Sequence, residues 1–153
     1  MLTAREVAKW TNRFAVTRDG RLVTTLDTVQ RDNFPGSFTL DGHHYTVPGS
    51  IWDSRLSLLD ERGDVVAQAS RTSHGWTLAA DGQTYYLRGA LLWGLSQQFE
   101  AGDPPIGTVR RTGGWQRGVD LDLPGVPTVL QIFLLAVNIA SWDSFSLFWI
   151  TGM

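Results

Sequence analysis

The stretch VDLDLPGVPTVLQIFLLAVNIASWD, Val119–Asp143, decides the fold. Its first five residues alternate with period two. Val119, Leu121 and Leu123 therefore share one strand face, and Asp120 and Asp122 share the other. Pro124 and Pro127 forbid a continuing strand and suit a turn before a helix, with Thr128 placed to act as N-cap. From Val129 to Ala140 only Gln131 and Asn138 are polar. Seven residues apart, these two fall about 20° from one another on a helix, and the rest of the circumference is apolar. A helix apolar nearly all round lies inside a protein or inside a membrane. Val129–Ser141 spans roughly 20 Å as a helix, whereas the hydrocarbon core takes about 30 Å. Extension to Ile150 reaches that length only by including Ser141, Asp143, Ser144 and Ser146. An Asp in mid-span costs about 2.5 to 3.5 kcal/mol. No basic cluster flanks either end. The spacing predicts a buried core helix over about 128–142 rather than a membrane span.

A helix buried on all sides needs a wrapping partner, and the upstream sequence supplies one. Turn signals recur at Asp19-Gly20, Asp41-Gly42, Arg62-Gly63, Asp81-Gly82 and Gly113-Gly114, where Gly can take the positive φ of tight hairpins. Between them lie short runs rich in β-branched and aromatic residues, such as RLVTTLD, SFTLDGHHYTV, RLSLLD and QTYYLRG. Phe38 and Leu40 share a face, as do Leu56 and Leu58. Such strands read as an antiparallel sandwich or barrel. A sheet curled round a C-terminal helix follows from both observations together. At the start, Thr3 and Glu6 have capping-box spacing and Leu2, Val7 and Trp10 could line one helical face, which predicts a short N-terminal helix.

The chain has 153 residues, enough for one domain over 1–153 with a real core. Seven Trp and seven Phe supply large flat side chains for it. The formal net charge of -2 argues against nucleic acid, whose binders carry a basic excess. There is no Cys, hence no disulfide, thiolate metal site or thiol nucleophile, which fits a cytoplasmic setting. The opening MLTAREVAKWTNRF lacks the apolar core of a signal peptide.

Val119–Asp143 resembles the C-terminal region of phospholipid scramblases and their relatives, the LURP-one-related and Tubby C-terminal-like domains. There an LDLD-like strand end precedes an apolar helix that closes the domain. Upstream, IGTVRRTGGWQRG, Ile106–Gly118, resembles the penultimate hairpin of that family, where a Gly and a hydrophobic position precede basic residues and a Trp or Gly turn. The resemblance implies a closed antiparallel barrel of about twelve short strands around a buried C-terminal hydrophobic helix. It covers the last third of the chain well and the rest in pattern. Scramblases of the animal type carry an acidic loop before this strand, proposed to bind calcium. Here TGGWQRG stands in its place, with Arg117 and no acidic residue. The lipid-attachment Cys residues and the Pro-rich N-terminal region are also missing, so scrambling activity is not carried over. Tubby domains bind phosphoinositide headgroups through basic residues, but those positions do not match residue by residue.

Several constellations could carry chemistry. Arg110, Arg111 and Arg117 surround Gly113-Gly114. If the two arms pair, their guanidiniums could converge on one phosphate, with Trp115 at a membrane interface. A solvated hairpin whose charges discourage edge pairing is the plainer reading. Asp120 and Asp122 could help to hold Ca²⁺, but two carboxylates are too few, and Arg110, Arg111 and Arg117 offer them nearer partners. His43 and His44 point to opposite faces of a strand, so they cannot easily ligate one metal, and His74 stands alone. There is no GxSxG elbow, Walker loop or Rossmann fingerprint, so a hydrolase or other enzyme has no support. No cofactor is implied. The tail SFSLFWITGM, with Phe145, Leu147, Phe148, Trp149 and Ile150, either packs on the barrel or meets a protein partner or membrane.

These readings converge on a non-enzymatic binding or scaffold module. Its expected ligand is an anionic phospholipid surface or an apolar molecule, at the inner face of the membrane. The alternative is a scramblase-like protein anchored by Val129–Ile150.

Overall fold

The structure, a computed structural model, describes residues 1–7, 13–28, 36–48, 55–72, 75–89, 96–100, 105–112 and 118–151. In chain order the strands are β1 (Leu2–Glu6), β2 (Arg13–Arg18), β3 (Arg21–Thr28), β4 (Gly36–Leu40), β5 (His43–Val47) and β6 (Arg55–Leu59). They continue with β7 (Val65–Thr72), β8 (Gly75–Ala80), β9 (Gln83–Gly89), β10 (Ser96–Glu100), β11 (Pro105–Thr112) and β12 (Gly118–Asp122), and α1 (Thr128–Thr151) follows. The mainly β, antiparallel architecture with one C-terminal helix is the one the sequence pattern leads to. Each strand pairs antiparallel with the next, and β1 pairs with β2 on one side and β12 on the other. The pairing thus forms a ring. Its thinnest seam is between β5 and β6, where Thr46↔Leu59 is the register pair among the described residues.

Side-chain alternation explains which face turns inward. Phe14 and Val16 on β2, Leu56 and Leu58 on β6, Ala67 and Ala69 on β7, and Val119 and Leu121 on β12 are all buried. Their neighbours in sequence are polar or half-exposed. The turns obey the same local chemistry. Asp19-Gly20, Asp41-Gly42 and Asp81-Gly82 have positive φ at both residues, the requirement of the hairpin turn that matches strand twist. Between β6 and β7, Asp60 Oδ1 accepts hydrogen bonds from the Arg62 and Asp64 amides at 2.9 and 3.0 Å. The extra residue of this turn shifts the register between Leu58 and Leu59.

The expected N-terminal helix is a strand. Leu2, Ala4 and Glu6 face the interior, and β1 is paired along its length on both sides. Those two ladders outweigh a capping-box spacing of Thr3 and Glu6, which can stabilise only a helix end. Trp10 lies outside the described residues.

The chain leaves β12 through a turn in which the Val126 amide donates to the Leu123 carbonyl at 3.3 Å. Pro124 takes its second position and Gly125, with φ 83°, its third. Thr128 is not the N-cap. The Gln131 amide donates to the Pro127 carbonyl at 3.1 Å, so Pro127 starts the helix and Thr128 is its first helical residue. The Thr128 hydroxyl instead accepts from Arg18 Nη2 at 3.0 Å. Every residue from Leu130 to Ile139 is buried, nearly three turns enclosed on all sides. The helix has 24 residues and runs beyond the expected end at 142 to Thr151. Among the described residues no helix is long and apolar enough to cross a membrane.

Gln131 shows why a polar residue sits in this core. Its Nε2 donates to the Val126 carbonyl at 2.8 Å and the Leu123 carbonyl at 3.4 Å, tying the turn to the helix. Gln131→Leu keeps the volume but withdraws a donor from two buried carbonyls. The expected loss is about 1 to 2 kcal/mol, read as a lower denaturant midpoint with an unchanged slope.

Candidate functional site

Antiparallel order gives the ring two unlike ends. At one, odd-numbered strands begin, even-numbered strands finish and α1 starts. This near end carries the four tight hairpin turns and the Leu123–Val126 turn. The other is the far end.

Charge is sorted between them. Near-end strand termini and turns carry Asp19, Asp41, Asp60, Glu61, Asp64, Asp81, Glu100 and Asp122, against Arg18, Arg21 and Arg62. At the far end the balance reverses. Arg5, Arg13, Arg55 and Arg71 lie there, and register places Arg88, Arg110 and Arg111 in the far halves of β9 and β11. Among the described residues only Glu6 and Asp27 oppose them. Arg55 is exposed, and Arg71 lies over the Trp76 ring with 5.1 Å to its centroid. Stacked this way, a guanidinium keeps its charge while its plane is held.

Two of these arginines have carboxylate partners. Arg5 Nη2 is 3.1 Å from Asp120 Oδ1, and Arg13 Nε is 3.0 Å from Asp27 Oδ1. Neither Asp oxygen takes a hydrogen bond, so these are charge contacts without a directed N–H. With both arginines more than a third exposed, such pairs contribute little stability. They leave the positive field of this end largely in place.

The sequence-predicted residues divide accordingly. β11 and β12 do form a hairpin, with Arg110 opposite Asp120 and Arg111 opposite Val119. Arg117 and Trp115, with Gly113-Gly114, lie outside the described residues, as do the side chains of Arg110 and Arg111. Asp120 and Asp122 share the outward face as the alternation requires. Asp120 is held by Arg5 of β1 and not, among the described contacts, by the arginines of its own hairpin. No cluster of three or more metal-ligating side chains occurs among the described residues, so nothing gathers around this pair. His43 Nδ1 stands 2.8 Å from Glu61 Oε1, and His44 Nδ1 is 3.2 Å from Thr39 Oγ1. Both histidines serve the exposed near-end turns, and His74 lies outside the described residues.

A cavity of about 370 Å³ opens at the near end beside the start of α1, where Arg18, Asp122, Thr128 and Gln131 meet Leu2 and Leu123. Arg18 and Gln131 spend their described hydrogen bonds on Thr128 and on the Leu123–Val126 turn. Their positions there are explained by closing the end of the ring.

No family model matches the sequence, and no curated protein matches it. In fold, the chain is similar to the X-ray structure of a protein from Arabidopsis thaliana, AT5G01750, with a TM-score of 0.59 and 15% identity. The likeness covers 90% of this chain and 88% of that one, so it extends over the strand ring and α1 together. At this identity it is a likeness of fold.

Proposed function

We propose that the protein is a single-domain, non-enzymatic binding module whose arginine-rich far end takes an anionic phospholipid surface. The ring is read as a closed barrel of the LURP-one-related and Tubby-like kind, plugged by α1. The observation that carries this reading is the sorting of charge between the two ends. A chain of formal charge -2 has no overall attraction to an anionic surface. One that gathers its arginines at one end still has a face that is drawn in and a face that is pushed away. Each Arg near such a surface is worth about 1 kcal/mol within a Debye length. The setting that fits is the cytoplasmic face of a membrane, where anionic lipid is concentrated.

The test is flotation with vesicles of phosphatidylcholine containing graded phosphatidylserine. The wild-type chain is expected to float with anionic vesicles at low salt and to be released as salt rises. Arg55→Ala, Arg110→Ala and Arg111→Ala together should weaken binding about a hundredfold, at about 1 kcal/mol per arginine. Arg21→Ala with Arg62→Ala, at the near end, should not weaken it. Equal flotation of the triple variant and wild type would sink the proposal.

A further inference from the structure

We propose that the last turns of α1 insert an aromatic stripe into the interface of that anionic bilayer, so that the barrel stands on its far end. This rests on the anionic-surface reading above.

The path of the helix comes first. Thr128 sits at the near end, bonded to Arg18. Ala136 lies at the far end, because its Cβ is 3.6 Å from where a Cβ on Gly36 would stand, and Gly36 is the far-end start of β4. Eight residues have therefore carried the helix across this wall, about 12 Å at about 1.5 Å per residue. α1 then continues to Thr151, about 22 Å further. It leaves by the end where the arginines are gathered.

Helical spacing then sorts the last twelve residues. Trp142, Phe145, Phe148 and Trp149 fall within an arc of about 120° at about 100° per residue. Asp143, Ser144, Ser146 and Thr151 fall outside that arc, with Leu147 and Ile150 among them. Tryptophan and phenylalanine on one helix face beside a cationic surface are the residues that settle at the boundary of headgroups and acyl chains. A stripe intended for the interior would need no such sorting, and the enclosed turns from Leu130 to Ile139 have almost none. Charge complementarity with the arginine end selects an anionic bilayer as the occupant.

The chain has no Cys, so a single labelling site can be introduced cleanly. Phe145→Cys and, at the near end, Gln83→Cys are each labelled with an environment-sensitive fluorophore. Each is mixed with phosphatidylcholine vesicles containing about a third phosphatidylserine, with and without spin-labelled lipid. Cooperative unfolding is followed in parallel. The expected result is flotation of both proteins, with bright, quenchable emission at residue 145 alone. Phe148→Ser with Trp149→Ser should weaken flotation about tenfold or more, since each buried aromatic is worth about 1.5 to 3 kcal/mol. Flotation with no response at residue 145 overturns the insertion and leaves the surface reading standing. Failure to float at all overturns both. A label at 145 already shielded before vesicles are added, and unchanged by them, shows the stripe covered by the barrel or a second copy and overturns the insertion.

Discussion

Gly107→Ala should strip the protein of about 3 kcal/mol or more and sharply lower its unfolding midpoint. A Cβ at this position would run into the carbonyl oxygen of Asp122 and come within 2.7 Å of Leu123 Cδ2. The first obstacle is backbone, so no rotamer change relieves it. β11 and β12 would have to separate just where β12 leads into the Leu123–Val126 turn and α1. That turn also anchors Gln131, so a local displacement spreads to the helix start. Gly36→Ala is the natural comparison. Its Cβ would find neighbours at 3.6 to 3.8 Å, ordinary contact distances. It should cost far less, and equal losses in the two variants would contradict the account given for Gly107. Thermal or urea unfolding followed by circular dichroism measures both.

The second large effect is expected at the enclosed helix. Leu134 and Leu135 have no exposed surface. An aspartate at either position must bury an unpaired charge or take up a proton, in a space shaped for an aliphatic side chain. The expected cost exceeds about 4 kcal/mol, a large part of the 5 to 15 kcal/mol that holds a typical domain. Leu134→Asp should therefore be unfolded or recovered only in aggregates. Leu134→Ala should remain folded but lose about 2 to 5 kcal/mol through its cavity. If Leu134→Asp unfolds cooperatively at the wild-type temperature, the helix is not enclosed in solution.

The C-terminal region was legible because two periods meet there without ambiguity. Val119, Leu121 and Leu123 can only be a strand face, and an apolar run marked by two prolines can only be a buried helix. The hairpin turns were legible for a local reason, since Asp-Gly pairs accept positive φ at both positions. The N-terminus was not, because Leu2–Glu6 satisfies a helical spacing as well as an alternating one. What decides it is hydrogen bonding to β2 and to β12, the latter more than a hundred residues away in sequence. The end of α1 was placed too early for a related reason. Ser141, Asp143 and Ser144 look like a stop in a helix imagined as wholly buried, but they are tolerable in one that outruns its enclosure.

The candidate site was only partly legible. Three arginines around Gly113-Gly114 stand out because they are close in sequence. Arg5, Arg13, Arg55, Arg71 and Arg88 do not, since each is isolated among strands. Only the alternating direction of those strands brings them to one end. The signal was present in a form easy to overlook: carboxylates cluster at every second turn, and arginines occur near the opposite tips of the strands between.

The ring is closed by pairing Leu2 with Leu121, and its contents arrive only after that, as Leu130–Ile139. During synthesis the chain must therefore produce its whole wall before it has anything to fold around. Contacts so distant in sequence make folding slow, because loop-closure entropy is lost before the interior rewards it. Eleven hairpin-linked strands then wait with their apolar faces open, a state prone to aggregation until the last residues emerge. A chain stopped before Thr128 would be a wall with no centre, and no shorter fragment of this protein has the means to fold alone.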